Sequence, residues 1–434
     1  MNLLSLQLGH NASIALYNKG LLGDVISQEK FDNIKNSSTF PQKAIIYALK
    51  RNKLKVVDKV LVSGLTVYPQ QVSMTTEKPV SQPGITAKMR KNLVKFLFRH
   101  NRQMLYLIRD NLEKSVSKKA GKELRETLGK MGLNSDVEFV EHHLAHAYSP
   151  ITFYGLWDTK EPVLVLTLDG SGDKYAATVN IWDGKEMKRI SGTRWESSLG
   201  YIYSKATVYM GMKALEHEYK VMGIASYSKK DYFMKTYNKL FKGKMWVNKK
   251  DLTFESDEPT PYFDDFLVKN AAFERFDNLA AALQYFTEDL VLEWIRAAVK
   301  KTRISRIAVS GGVFMNVKLN KKIQELPEVK KVYFMPSCGD ESNVIGCLGY
   351  YGHQKGEKVD MKGDMYLGMG FSNREVEQFI KSKKLRRKYK ITKVKDIEEK
   401  VADLLSKNEV VALFRGRGEW GARALGNRTI VANP

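Results

Sequence analysis

Three histidines that lie close together offer the clearest metal-binding chemistry in the sequence. They fall in the segment 141–146 (EHHLAH), directly after apolar residues that favour a strand. A helix starting here would place His142 and His146, four residues apart, on one face, where both imidazoles could bind one metal ion. A zinc protease needs a glutamate after the first histidine, and His143 stands there instead, so that class is excluded. Hydrogen bonding at a helix start is the alternative role for the three side chains.

A third metal ligand has to come from a distant part of the chain. Asp340 is the candidate, because it lies in a turn between a predicted strand at 331–335 and a predicted helix. An aspartate at that position could instead cap the helix, and the sequence leaves both roles open.

Paired glycines follow a predicted strand at 307–309. The segment 309–316 (VSGGVFMN) contains Gly311, Gly312 and Asn316 and leads into a predicted helix. Glycines between a strand and a helix let the backbone approach a flat or anionic ligand closely. A structural tight turn explains the same pattern, and two adjacent glycines are weak grounds for a binding site.

Near the end of the chain, four arginines and four glycines fall within fifteen residues. The segment 414–428 (FRGRGEWGARALGNR) includes Arg417, Arg423 and Arg428. Guanidinium groups bind phosphate oxygens in a bidentate manner, so this segment could surround several anionic oxygens. A surface loop that binds nothing is the alternative, but such a loop rarely also carries a tryptophan and a leucine.

A weak internal repeat indicates how these residues are positioned. Residues 3–8 and 163–168 are apolar strand segments, followed by glycine-rich turns at Gly9-His10 and Asp169-Gly170 and by further strands. A helix at 42–51 and a strand at 59–63 follow the first copy, and helical sequence at 199–212 follows the second. Duplicated three-strand meanders with helices build the actin and sugar-kinase superfamily, in which two such turns hold ATP. The predicted class is α/β, although strand-turn-strand patterns are common.

Composition limits the remaining possibilities. The chain has 434 residues, 43% hydrophobic and 27% charged, which argues against disorder. No apolar run approaches the roughly 18 residues that span a membrane. Two cysteines, Cys338 and Cys347, form neither a disulfide framework nor a zinc motif, and a cytoplasmic location is the simplest expectation. The net charge of +23 includes thirteen basic against four acidic residues between Lys88 and Lys130, where we predict an amphipathic helical insertion at about 85–130.

Taken in order, these segments resemble the O-carbamoyltransferase family, which includes nodulation-factor and antibiotic carbamoylating enzymes. The shared motifs are Gly-His-Asn-Ala-Ser at 9–13, Phe-Pro at 40–41, the histidine segment at 142–147, Ser-Leu-Gly at 198–200, Lys-Val-Met-Gly at 220–223, Gly-Gly-Val-Phe-Met-Asn at 311–316 and Arg-Ala-Leu-Gly-Asn-Arg at 423–428. The resemblance covers nearly all of the chain except the basic insertion. The sequence departs from the family pattern at Asn11, at Ala422 and at Tyr219, where the family usually has Asp, Pro and Gly.

The resemblance implies two modules. Residues 1–362 are expected to form a duplicated actin/sugar-kinase-like (RNase H-like) carbamoyl-transfer domain. Residues 363–434 are expected to be the start of a YrdC-like α/β domain, which makes carbamoyl-adenylate from carbamoyl phosphate and ATP. The family continues beyond this point, so we expect a fragment or a truncated activation module. The adenylate would then carbamoylate a hydroxyl of a small or glycosidic acceptor.

The resemblance also implies roles for individual residues. Divalent iron is expected on His142, His146 and Asp340, and Mg²⁺ can accompany ATP at the activation site. His10 and His143 are the candidates for the base or for oxyanion contact. Nucleotide contacts are expected from Gly9, Asp169, Gly170, Gly172, Lys220, Gly311, Gly312 and Asn316. Carbamoyl phosphate and ATP are expected at Arg417, Arg423 and Arg428.

Two alternatives remain open at this stage. One is a tRNA threonylcarbamoyl transferase, which the basic insertion would suit, and the other is a non-catalytic relative that binds nucleotide or RNA. Nucleic acid is the less favoured partner, and a membrane is not expected. A homodimer is compatible with the resemblance, but the sequence identifies neither the acceptor nor the oligomeric state.

Overall fold

The computed structural model describes residues 1–72, 85–361 and 363–433. The strands within these residues are β1 (Asn2–Gln7), β2 (Ser13–Asn18), β3 (Leu21–Ser27), β4 (Lys59–Ser63), β5 (Asp136–Val140), β6 (Val163–Gly172), β7 (Tyr175–Trp182), β8 (Met187–Arg194), β9 (Met245–Asn248), β10 (Thr253–Ser256), β11 (Arg306–Ser310), β12 (Lys331–Phe334), β13 (Val411–Phe414) and β14 (Arg428–Val431).

The helices within the same residues are α1 (Glu29–Asp32), α2 (Gln42–Arg51), α3 (Pro69–Val72), α4 (Ile85–His100), α5 (Arg102–Lys130), α6 (His142–Tyr154), α7 (Leu199–Tyr209), α8 (Glu218–Ile224), α9 (Lys230–Leu240), α10 (Phe263–Asn270), α11 (Phe276–Thr302), α12 (Val317–Gln324), α13 (Asn343–Gln354), α14 (Asn373–Ser382) and α15 (Ile397–Ser406). Among them, none is long and apolar enough to cross a membrane.

Two five-stranded sheets with the same topology form the centre of the molecule. The first has the order β3-β2-β1-β4-β5 and the second the order β12-β11-β6-β7-β8. In each, three antiparallel strands form a meander, and two parallel strands extend it from the first strand. Their central strands are almost continuously apolar and buried, as expected for strands covered on both faces. The predicted α/β class and the duplicated meander of actin and sugar-kinase type are therefore confirmed.

Helices α6 and α13 pack closely against each other between the two sheets. Glycines make this approach possible: a Cβ on Gly346 would collide with the Ala145 carbonyl, and one on Gly349 with the Thr152 hydroxyl. The Glu141 carboxylate caps the start of α6 by accepting hydrogen bonds from the backbone N–H groups of His143 and Leu144 in its first turn. The two helices thereby bring the histidine segment and the loop before α13 to one place.

The predicted basic insertion forms the helices α4 and α5. Buried Leu97, Phe98 and Leu105 pack together with Trp195, so the predicted amphipathic character holds on this side. On the outer side, however, Leu93 is 50% and Phe96 is 58% exposed. Several cations form ion pairs, including Lys91 and Lys95 with Asp265 and Arg99 with Glu258.

The segment after residue 363 packs on the first sheet. The Val25 N–H donates to the Leu367 carbonyl at 3.0 Å, and the Gly368 N–H donates to the Gly418 carbonyl at 2.9 Å. Strands β13 and β14 form an antiparallel pair. The predicted division into domains at 362 and 363 and the YrdC-like character of the second domain stay predictions; Lys362 and Pro434 lie outside the described residues.

Candidate functional site

Two histidines and two aspartates converge where the sheets and central helices meet. His142 and His146 project from the first turns of α6, Asp340 precedes α13, and Asp169 lies near the end of β6. Each residue offers one ligand atom, and these four atoms lie within 4.8 Å of one another. The Asp340 Oδ1 atom lies 3.3 Å from His146 Nε2 and 3.6 Å from His142 Nε2. All four side chains are at least partly buried, so the cluster is preorganised.

The neighbours of this cluster suit a divalent metal ion. Ser310 Oγ lies within hydrogen-bond distance of His146 Nδ1, at 3.2 Å, and so orients the ring whose Nε2 lies 3.3 Å from Asp340 Oδ1. Gln7 Nε2 donates to Asp340 Oδ2 at 3.3 Å. Among the described residues, the buried amide oxygens of Gln7 and Asn343 lack hydrogen-bond partners. Imidazole and carboxylate donors with such supporting contacts are a set that iron and zinc accept.

The electrostatics of the cluster indicate two ionised carboxylates. Burial and Asp340 would raise the pKa of Asp169, but the neighbouring histidines outweigh them and lower it to about 2. Burial alone would raise the pKa of Asp340, whereas His10 and His142 hold it well below its ordinary value. Burial opposes the charge on His142, yet Asp340 and Asp169 raise its pKa to about 10. Metal binding here would therefore displace a proton from His142.

His10 and His143 occupy different environments. His10 Nε2 lies 3.0 Å from Asp340 Oδ2, and its side chain remains 40% exposed. Burial opposes its charge, but Asp340 raises its pKa to about 9. His143 is fully buried, with Nδ1 2.7 Å from Thr167 Oγ1 and Nε2 2.9 Å from the Tyr175 carbonyl. Both ring nitrogens of His143 lie within hydrogen-bond distance of protein atoms. The geometry therefore fits a structural role for His143 and gives its ring no access to a substrate.

The glycines fall into two groups. A Cβ on Gly172 would collide with the His142 ring, and one on Gly312 would lie 2.7 Å from Asp169 Oδ1. The Gly312 N–H also donates to that oxygen at 3.0 Å. Gly311 has φ +106° and lies against the Leu168 backbone. These three glycines thus shape the ligand cluster, whereas a Cβ on Gly170 would meet nothing within 4 Å.

A cleft of about 900 Å³ opens above the cluster. It is lined by eight of the residues predicted for the site, namely His10, Asp169, Gly170, Gly312, Asn316, Asp340, Arg423 and Arg428. Asn316 caps α12 by accepting from the Leu319 N–H and pairs its amide with Gln284. Gly9, with φ +86°, and Lys220 do not belong to the lining. Lys220 nevertheless lies 5.9 Å from the ring of Tyr219, which does.

The three arginines predicted to bind anions differ in their availability. Arg417 Nη2 donates to Asp24 Oδ1 at 2.7 Å and to the Gly23 carbonyl at 2.8 Å, and it does not line the cleft. Arg428 donates to backbone carbonyls, including that of Met369 at 2.9 Å. Within the described part of the chain, Arg423 forms no hydrogen bond or ion pair and is exposed. Only Arg423 therefore presents a free guanidinium to a ligand.

Two features of the site escaped the sequence-based reasoning. Asp169 was expected near phosphate, yet its carboxylate lies among the metal-ligand candidates. Glu419, which is 6% exposed, accepts from the backbone N–H groups of Leu425, Asn427 and Arg428 and so shapes the arginine segment. An aspartate in the turn of the second repeat was a usable signal for the first feature. A lone glutamate among arginines gave no comparable signal.

Comparison with known proteins identifies the family. A family model described as Carbamoyltransferase N-terminus matches residues 3–348. The chain belongs to the carbamoyltransferase family. A second model of this family, Carbamoyltransferase C-terminus, matches residues 402–434. Membership places the chain among transferases and confirms the resemblance stated from the sequence.

Curated relatives agree with this family. An uncharacterized protein of Synechocystis sp. is 28% identical over 98% of this chain and 70% of its own length. Nodulation protein NolNO of Sinorhizobium fredii is 25% identical over 98% of this chain and 58% of its own. A tRNA N6-adenosine threonylcarbamoyltransferase of Kosmotoga olearia is 24% identical over 55% of this chain and 69% of its own. Across four relatives, the chain spans 52–72% of their length.

Proposed function

We propose that the protein transfers a carbamoyl group from carbamoyl phosphate, through carbamoyl-adenylate made with ATP, to a hydroxyl of a small-molecule or glycosidic acceptor. One observation carries the proposal: two imidazoles and two ionised carboxylates converge at a cleft of about 900 Å³ in a chain of the carbamoyltransferase family. A cleft of this size is in the range that encloses a nucleotide-sized ligand. In the transfer step, the acceptor oxygen bonds to the carbamoyl carbon, the bond between that carbon and the AMP phosphate oxygen breaks, AMP leaves, and the hydroxyl proton passes to solvent.

A divalent metal ion, with iron as the expected one, would be held by His142, His146 and Asp340, and the position of Asp169 makes it a fourth candidate. When bound, the metal supplies Lewis-acid polarisation of the carbamoyl oxygen. The protein's own contribution is to keep both carboxylates ionised and the His146 ring oriented through Ser310.

His10 lines the cleft beside the cluster, with its Nε2 atom 3.0 Å from Asp340 Oδ2. Since its pKa is raised to about 9, the ring carries a proton near neutral pH in the metal-free protein. This favours donation of a hydrogen bond to developing negative charge over acceptance of the acceptor's proton. His143 is proposed to position the strand end beside His142, because its ring bridges Thr167 and the Tyr175 carbonyl.

The nucleotide is proposed to lie against the glycine turns that line the cleft. The backbone at Gly170 is open to a ligand, whereas the Gly312 N–H is already used by Asp169. Arg423 contributes a free guanidinium that can bind the phosphates of ATP or carbamoyl phosphate. Arg417 and Arg428 act instead by holding the segment in place.

The test is incubation of the full chain with labelled carbamoyl phosphate, ATP, divalent iron and a panel of hydroxyl compounds. We expect AMP, pyrophosphate and a labelled carbamate ester. A His142→Ala variant should lose the ester, while His100→Ala, which alters an exposed histidine on α4, should retain it. Absence of all three products with the wild type would contradict the proposal.

Transfer to tRNA is the second candidate, supported by the likeness to the tRNA enzyme over 55% of the chain. The nodulation relative matches 98% of the chain, a wider match than that of the tRNA enzyme, and we therefore place transfer to tRNA second. Labelling of tRNA in preference to every small hydroxyl compound would reverse this order.

A further inference from the structure

An exposed tyrosine at the mouth of the cleft is surrounded by three cations. The centre of the Tyr219 ring lies 5.1 Å from Lys35 Nζ, 5.5 Å from the Arg423 guanidinium and 5.9 Å from Lys220 Nζ. All four side chains are exposed. In the described ranges of the chain, no carboxylate forms an ion pair with any of these cations. We name this set the cation rim.

Three separate segments build the cation rim, and the structure ties two of them together. Lys35 lies in the loop after α1, and Tyr219 lies in the first turn of α8. The Asn36 side-chain amide donates to the Leu215 carbonyl at 3.3 Å, and the Leu215 N–H donates to Glu218 Oε1 at 2.7 Å. Leu215 holds a φ of +64°, which is unusual for a bulky residue and is typical of functional sites.

Several other charged side chains around the cleft have partners. Lys30 pairs with Glu29 at 2.9 Å, and Glu216 pairs with Lys213. Glu419 accepts three backbone N–H groups of its own segment. Glu218 also lines the cleft, where burial raises the pKa of its carboxyl group, whereas Lys35, Lys220 and Arg423 are exposed to solvent. Such a mouth concentrates anions by focusing the local field.

The ring of Tyr219 is the common neighbour of all three cations in the cation rim. Tyr219 stands where the family pattern usually has glycine, and a glycine would provide no ring for the cations to approach. An aromatic ring bordered by cations can bind a phosphate group and stack on a planar neighbour at the same time.

We propose that the cation rim binds a phosphate monoester carried by the acceptor, so that the substrate class is a phosphorylated hydroxyl compound. This inference rests on the proposed carbamoyl transfer. A phosphate monoester carries nearly two negative charges at neutral pH, and Lys35 and Lys220 can match them while Arg423 serves the phosphates of ATP or carbamoyl phosphate. Its hydroxyl end can then extend inward, since His10 and Asp340 line the same cleft as Tyr219.

Binding to the full chain tests the inference directly. Calorimetry should compare matched pairs: glycerol with glycerol phosphate, and thymidine with thymidine monophosphate, with inorganic phosphate as a third probe. We expect the phosphorylated member of at least one pair to bind more tightly than its partner and than inorganic phosphate. Lys35→Gln and Tyr219→Gly should each weaken that binding by about ten-fold. Lys19→Gln, an exposed lysine in the turn between β2 and β3, should not.

A second measurement separates this inference from the proposed function. Formation of AMP and pyrophosphate from ATP and carbamoyl phosphate should be the same in Lys35→Gln and in the wild type. If the wild type forms neither AMP nor pyrophosphate, the proposed function is wrong. The calorimetric experiment then still tests whether the cation rim binds a phosphate monoester. Equal binding of both members of every pair, equally tight binding of inorganic phosphate, or reduced AMP formation in Lys35→Gln would overturn the inference.

Discussion

Substitution of Gly172 distinguishes a metal-site role from a phosphate-binding role for the β6 turn. A Cβ at this position would overlap the His142 ring, and the ring has little freedom to move. The backbone N–H of His142 donates to Asp173 Oδ2 at 2.8 Å, and the ring atom Nε2 of His142 lies 3.4 Å from Asp169 Oδ2. In Gly172→Ala the imidazole must therefore rotate away from the aspartates.

The magnitude follows from the loss of ligand orientation. Disturbing a group that orients a ligand lowers metal affinity by roughly ten- to a hundredfold. Overpacking a buried site lowers the free energy of unfolding by about 1–3 kcal/mol. Gly170→Ala is the matched control, because a Cβ two residues earlier would meet nothing within 4 Å. We expect that control to retain both metal affinity and stability.

Anaerobic calorimetry with Fe²⁺, and with Co²⁺ as a second probe, measures the affinities of the wild type and both alanine variants. Urea unfolding of the metal-free proteins measures their stabilities. If Gly172→Ala binds metal as tightly as the wild type but loses nucleotide affinity, the steric argument is refuted. The turn would then serve the phosphate, as the sequence pattern first suggested.

Two further predictions concern charge. Arg423→Gln should weaken the binding of ATP or carbamoyl phosphate by about ten-fold, measured by calorimetry, without lowering the free energy of unfolding. Arg417→Gln should lower the free energy of unfolding by about 2 kcal/mol, measured in urea, because buried Asp24 loses a charged partner. Equal effects of the two variants in both assays would contradict this assignment. In the metal-free protein, the pKa of His142 is raised to about 10 and that of Asp169 is lowered to about 2. The contribution of His142 to the free energy of unfolding is fully present below its unfolded pKa of about 6.5 and is lost as the pH rises toward 10. The contribution of Asp169 is fully present above its unfolded pKa of about 3.9 and is lost as the pH falls toward 2. The combined contribution, measured by urea unfolding against variants of the pair, should be largest between about pH 4 and 6.5, and a maximum elsewhere would count against it.

The local sequence pattern was sufficient to predict much of the fold. The helix at 42–51 and the strand at 59–63 coincide with α2 and β4. The repeated strand-turn-strand pattern anticipated the common topology of the two sheets. These features depend on periodicity and turn residues, which act over short distances in the sequence. The pattern was also enough to put His142 and His146 on one helical face.

The side-chain roles that the sequence did not predict depend on packing between distant parts of the chain. Asp169 reaches the histidines because β6 lies beside β11 and α6, a relation that one turn does not reveal. Arg417 and Arg428 look like anion ligands in sequence, but their guanidinium groups bind Asp24 and backbone carbonyls. Leu93 in the basic insertion is exposed, because α4 packs through its other face. In each case, a partner far away in sequence determines what the side chain does.

The most direct test of the account is mass spectrometry of the acceptor panel after reaction with labelled carbamoyl phosphate and ATP, comparing the wild type with Asp340→Ala. Asp340 lies within the ligand cluster and lines the cleft, so both the metal and the transfer depend on it. The account predicts a labelled carbamate ester with the wild type, and neither ester nor bound metal with the variant. An undiminished ester from Asp340→Ala, or no ester from the wild type with any acceptor, would contradict carbamoyl transfer at this site.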